Sequence, residues 1–316
     1  MTTAAQTRSA ASSRPTLGRR KRAIPVPPGV EVPPLSPRMQ LIRGVLISLL
    51  VLSLAMIAHL TVTSGLQHRA TQEQEFDKFR EELALGTAPI GPTGSDGAAL
   101  EPGTAVAMIE IPSLDVNEVV FEGTTSGILS KGPGHRRDTV LPGQIGTSVV
   151  FGRRAVYGGP FRDVASLRAG DQIIATTGQG QFTYTVIGVR REGDELPASV
   201  APGGSRLTLT TADGLPYVPA RILRVDADLD GEAVVGPARL VAASALAPNE
   251  RAMKGDTSTL WVLALWLQGL VLLAIGLVWA WYRWGRPQAW IVLLPPMLFV
   301  GLGAAGEIVR LLPNLL

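Results

Sequence analysis

What this chain can do chemically is bounded first by a missing residue type. Its 316 residues include no cysteine. No thiol nucleophile, disulfide or thiolate metal site can therefore form in any compartment. Hydroxyls remain, and two of them, Thr210 and Thr211, sit in a strand-like run, Leu207-Thr208-Leu209-Thr210-Thr211-Ala212. A hydroxyl attacks a carbonyl only when a base lies beside it. His135 is the only histidine between residues 104 and 230, so it is either that base or a loop residue making local hydrogen bonds. Without a base, strand-face packing is the plainer role for both threonines. Arg153, Arg154 and Arg221 either leave a positive groove for a substrate or an anionic polymer, or are ordinary solvated arginines. Asp213 follows Ala212 and either pairs with Arg221 or Arg153 or occupies a surface turn with Gly214. Neither metal nor cofactor is expected.

The elements that must position these residues are ordered along the chain by charge and hydropathy. Eight Lys/Arg and a single acid fall within residues 1–43, leaving 21 bases and 25 acids for the rest. The basic pI of about 9.5 thus belongs to a tail and not to a folded surface. That excludes nucleic acid as an expected partner, since binding it needs phosphate-neutralising charge on the domain. It suits a cytoplasmic tail beside an anionic membrane. Residues 1–40, rich in Ala, Ser, Arg and Pro, are expected to be disordered. Residues 41–66 contain Gly44 to Thr63, twenty residues without Asp, Glu, Lys or Arg. That is about the ~20 a helix needs to cross a bilayer, and the preceding arginines put the N-terminal side in the cytoplasm.

Residues 67–103 are expected to form a stalk helix, with Phe76, Phe79 and Leu83 on one side and Gly86 and Pro89 ending it, followed by a Gly/Pro/Ala linker. Residues 104–230 read as all-β: short alternating or β-branched runs separated by Gly/Pro/Asp turns predict a closed barrel or a sandwich. The runs are 107–111, 147–151, 172–177, 182–187, 206–211 and 221–225. A second linker, 231–257, leads to an apolar stretch at 258–282 that is expected to cross the membrane. Residues 288–312 are uncharged over most of their length and contain Pro295-Pro296, so they form a second crossing or a re-entrant segment. Arg283 and Arg286 place the turn between these two stretches inside.

From 108 to 229 the chain resembles the sortases, cysteine transpeptidases that join secreted proteins to the Gram-positive cell wall. The resemblance rests on motifs in order: Ile111-Pro112-Ser113-Leu114-Asp115-Val116, Val120-Phe121-Glu122-Gly123-Thr124-Thr125, Lys131-Gly132-Pro133-Gly134-His135, Leu141-Pro142-Gly143-Gln144-Ile145-Gly146-Thr147, Tyr157-Gly158-Gly159-Pro160-Phe161, Leu167-Arg168-Ala169-Gly170-Asp171 and Leu207-Thr208-Leu209-Thr210-Thr211. It implies an all-β, sortase-like closed barrel, here with one N-terminal and two C-terminal transmembrane helices. It also implies where the chemistry would sit. The family's cysteine position holds Ala212, its histidine position holds Arg153, and its arginine has a counterpart in Arg221. His135 falls in a non-catalytic loop of the family.

The family mechanism needs a thiolate, an acid for the leaving amine and a cation for the oxyanion. Alanine offers no nucleophilic atom, and an arginine, which keeps its proton far above neutrality, is no general acid near neutral pH. Loss of a nucleophile alone can cost ~10⁶ in kcat. The expectation is a membrane-anchored, extracytoplasmic pseudoenzyme that binds without turnover. Arg153, Arg154, Tyr157, Thr211, Asp213 and Arg221 are its candidate groove residues, and an envelope protein, a sorting-signal-like peptide or a wall polymer its partner. The alternative is a sortase-type transpeptidase or hydrolase using Thr210 or Thr211.

Overall fold

A computed structural model describes residues 36–94, 99–237 and 242–316. Most of the basic tail, residues 1–35, lies outside the described residues.

Alternating side chains build the barrel. In β1 (Ala105–Ile111), Ala107, Ile109 and Ile111 are buried while Glu110 faces out, the two-residue period of a half-buried strand. Seven more strands follow: β2 (Val116–Glu122), β3 (Gly134–His135), β4 (Gly146–Phe151), β5 (Gln172–Thr177), β6 (Gly180–Arg191), β7 (Ser205–Leu215) and β8 (Val218–Leu229). They close in the order β1-β2-β3-β4-β7-β8-β6-β5, with β5 returning to pair with β1. Pairing is antiparallel except for β2–β3 and β4–β7. The interior is filled by Ile109, Val120, Val150, Phe161, Ile173, Leu207, Leu209, Leu223 and Val225. Tyr184 is the one large polar member, and its hydroxyl accepts from the Gly143 amide and bonds Ser205 Oγ. The closed barrel expected from the sequence is therefore present. β2 and β3 are not among the expected strands. β2 lacks clean alternation, and the two residues of β3 are strand only because β2 and β4 flank them.

Among the described residues, three helices are long and apolar enough to cross a membrane. α1 (Pro37–Ala58) runs without a break through a π-helical turn, His59–Thr63, into α2 (Ser64–Leu85). Gly86, at φ +67°, ends α2 in the left-handed cap that residues with a Cβ adopt less readily. The helix expected as a stalk is α2, and it packs along β2. Gln72 donates to Val119 O and Lys131 O and accepts from the Val119 amide, and Phe79 is fully buried with Val119 and Phe121.

α3 (Leu260–Trp284) and α4 (Arg286–Leu311) complete a bundle with α1. α4 continues through Pro295-Pro296. Gly301 lets it approach Ala55 of α1, and Gly303 leaves room for the Trp266 ring of α3, the small-residue contact of membrane helices. Leucines, isoleucines and aromatics remain exposed on the outer faces, among them Leu46, Leu272, Ile291 and Phe299. Residues 242–256 wrap the barrel. Thr124 Oγ1 donates to Glu250 O there, and the Glu250 carboxylate takes an ion pair from Arg137 at 3.4 Å.

Candidate functional site

The candidate residues gather where β4 and β7 run parallel and the chain leaves β4 into the 152–161 loop. Phe151 pairs with Thr210 in register, and the Gly152 amide donates to Thr210 O. Ala212, two residues further along β7, is buried among Leu129, Phe151 and Leu315. Arg154 Nη1 donates to Ala212 O at 2.9 Å and lies 3.5 Å from Asp213 Oδ1. Thr211 Oγ1 donates to Gly152 O at 2.8 Å. Thr210 Oγ1 is buried and has no hydrogen-bond partner among the described residues.

Arg153 does not line an open groove. Its side chain is wholly buried. Nε donates to Leu129 O, and Nη2 donates to Ser126 O and Ser126 Oγ at 2.9 and 2.7 Å. The guanidinium carbon stands 5.1 Å from the Tyr157 ring centroid, a cation–π geometry. Burial pulls its pKa down to about 10, with Tyr157 opposing and the Arg310 charge adding to the fall. It remains a cation at neutral pH, and it secures the 126–129 turn.

Tyr157, Gly158 and Gly159 all have positive φ. This tight left-handed run aims Tyr157 away from the barrel. Tyr157 is buried against Val309 of α4 and Met56 of α1, and its hydroxyl bonds His59 Nε2 at 3.2 Å. The reading of Tyr157 as a groove residue is corrected accordingly: its ring joins barrel to bundle.

Asp213 pairs with neither Arg221 nor Arg153. Arg191 Nε donates to its Oδ2 at 3.0 Å, and Arg154 is its second cation. Burial works against the charged carboxylate, but the bonds from Arg191 and the Gly214 amide and both cations hold its pKa below the usual value. Arg221 lies opposite Asp213 in the β7–β8 register and is exposed. The structure thus unites Arg154, Thr211, Ala212 and Asp213, sets Arg153 and Tyr157 beneath them, and leaves Arg221 at the rim.

His135 has both ring nitrogens engaged, Nδ1 with Glu122 Oε2 at 2.8 Å and Nε2 with Val140 O and Thr139 Oγ1. It serves β3 and the following turn and not the threonines. Burial alone would lower its pKa, but the Glu122 charge and hydrogen bond outweigh burial and raise it above 6.5. A raised histidine contributes stability fully below its unfolded pKa and loses it as pH climbs through the folded value. The unfolding midpoint of the native chain should therefore exceed that of Glu122→Gln most near pH 6, with the gap narrowing above neutrality. A gap that widens with pH would contradict this coupling.

Sequence reasoning missed Ser126, Leu129, Asn314 and Leu315, which complete the site. The last two carried one signal, a short polar and apolar run after the third apolar stretch. Nothing local pointed from that run to Ala212.

The sequence pattern of the family described as Sortase domain matches residues 109–228. Sortase D of Bacillus subtilis (strain 168) is 27% identical over 160 residues, spanning 49% of this chain and 79% of that protein. Sortase SrtE1 of Streptomyces coelicolor is 27% identical over 173 residues, spanning 52% of this chain but 44% of its own length. Among solved structures, sortase E from Streptomyces avermitilis is 35% identical, with a TM-score of 0.36, covering 42% of this chain and 91% of that one. The family pattern and the sequence relatives agree: residues 109–228 are a sortase-family domain.

Proposed function

We propose that this chain is a membrane-anchored, extracytoplasmic sortase-like protein that binds an extended peptide or an envelope partner without turning it over. One observation carries the reading. At the position where the resemblance implies the nucleophile, β7 holds Ala212, whose methyl group cannot form an acyl-enzyme. The Arg153 geometry supports it, since its guanidinium is committed to Ser126, Leu129 and Tyr157. It stays protonated and so cannot relay protons near neutral pH. Arg43 stacks over Trp281 at the bundle end that also carries Arg283, which supports a cytoplasmic location for that end and an extracytoplasmic one for the barrel.

The test uses the full chain in nanodiscs, sorting-signal peptides and an amine acceptor, followed by mass spectrometry. The expected result is unaltered peptide and an unmodified chain. A covalent adduct, or a product lost on mutating one named residue, would end the binding-only reading. The alternative, a hydroxyl nucleophile, has the unpartnered Thr210 Oγ1 in its favour. Against it, both nitrogens of His135 are engaged elsewhere. Labelling of Thr210 or Thr211 by a fluorophosphonate would favour the enzyme.

A further inference from the structure

The groove beside Ala212 already holds a peptide, and it is the chain's own. After α4 ends at Leu311, residues 312–316 leave the bundle and enter the cleft between the 152–156 loop and the 250–254 loop. Three of these residues are buried almost completely although none belongs to a helix or strand: Asn314 and Leu315 at 0% exposure and Leu316 at 4%. The segment docks as a tight turn, its own Leu316 amide donating to Pro313 O at 3.0 Å. The Arg154 amide donates to Leu315 O at 3.1 Å, and the Val156 amide to Leu316 O at 3.4 Å. On the opposite wall, the Asn314 amide donates to Lys254 O at 2.9 Å. Asn314 Nδ2 reaches Thr124 O and Arg251 O. The Leu315 side chain fills the apolar space bounded by Leu129, Phe151 and Ala212.

The fit is incomplete in one chemical respect. Asn314 Oδ1 and Arg153 Nη1 are both buried without a hydrogen-bond partner among the described residues. Both side chains bind the 124–129 turn, Asn314 at Thr124 and Arg153 at Ser126 and Leu129. A buried polar atom left unpaired costs about 1–3 kcal/mol. The resident segment therefore fills the apolar pocket and engages the backbone amides, while its own Asn314 Oδ1 stays unpaired.

We infer that residues 312–316 are an intramolecular, displaceable ligand of the Ala212 groove, and that a peptide partner must displace Leu315 from the apolar pocket beside Ala212 to bind there. The inference rests on the binding reading of the site and adds its regulation. Because the resident segment continues directly from α4, any shift of α4 against the barrel moves it, so the bundle gates the groove.

The absence of native cysteine makes the test direct. A single thiol from Ala212→Cys in the full chain, in nanodiscs, is treated with a membrane-impermeant maleimide, with and without residues 313–316. Removing the segment should accelerate labelling at least tenfold. Adding the peptide Leu-Leu-Pro-Asn-Leu-Leu in trans should restore protection to the shortened chain and leave the full chain unaffected. A thiol from Glu195→Cys, on an exposed loop, should label equally in both. Equal labelling rates at position 212 with and without the segment would overturn the inference, as would acceleration that the added peptide does not reverse. The full-length double variant Leu315→Cys/Ala212→Cys needs no truncation. Rapid disulfide formation supports the contact, and failure to oxidise refutes it. None of these readouts depends on turnover, so a catalytically active chain would refute the proposed function and leave this inference standing.

Discussion

Arg153→Ala should destabilise the barrel by about 3 kcal/mol, whereas Arg154→Ala on the neighbouring residue should cost under ~1 kcal/mol. The contrast follows from burial. Arg153 is enclosed and supplies the hydrogens for Leu129 O, Ser126 O and Ser126 Oγ. Truncation strands those acceptors and opens a cavity beside Tyr157. The gain from no longer burying a cation offsets part of this loss. Arg154 is only partly buried and its carboxylate partner, Asp213, keeps Arg191. Arg153→Met, which fills the space without donating, should fall between the two. Denaturant unfolding of the full chain in mild detergent measures all three. Equal losses for Arg153→Ala and Arg154→Ala would mean that Arg153 does not hold the turn.

Gly134→Ala should be the most damaging small substitution in the barrel, costing about 3 kcal/mol or more and blocking folding at elevated temperature. A Cβ at this position would stand 2.2 Å from Gly123 O and 2.8 Å from Leu129 Cδ2. The first neighbour is backbone and cannot rotate aside. Gly134 is also one of only two residues in β3, bridging Phe121 of β2 and Phe151 of β4. Displacing it would open the barrel and shift the Leu129 wall of the Ala212 pocket. Gly188→Ala is the matched control, because a Cβ there meets nothing within 4 Å, and its cost should stay below ~1 kcal/mol. Similar unfolding midpoints for the two variants would show that β3 tolerates a shift that the packing forbids.

Both predictions bear on how much was legible beforehand. Strands with clean alternation, such as 107–111 and 172–177, announced themselves because their side-chain period is local. The two-residue β3 did not, since only its neighbours make it a strand. The apolar stretches were equally plain from length and composition, and the long helices fall over them. The site was legible in part. Motif order brought Arg153, Ala212 and Arg221 to notice, yet three arginines read as one groove occupy three environments. Arg153 is buried, Arg154 half-buried and Arg221 exposed. Residue type does not report burial. The Arg191 partner of Asp213 was not legible for a related reason: Arg191 sits on β6, which reaches Asp213 only through the order of strands in the closed barrel.

By its own order of residues, this chain determined its class, its long apolar helices and the absence of any thiol, because period, hydropathy and composition act over short stretches. Folding alone decided that Arg153 props a turn, that Tyr157 couples barrel to bundle, and that a segment more than a hundred residues after Ala212 fills the cleft beside it. Those outcomes depend on which distant surfaces exclude water from one another, and no local pattern encodes that choice.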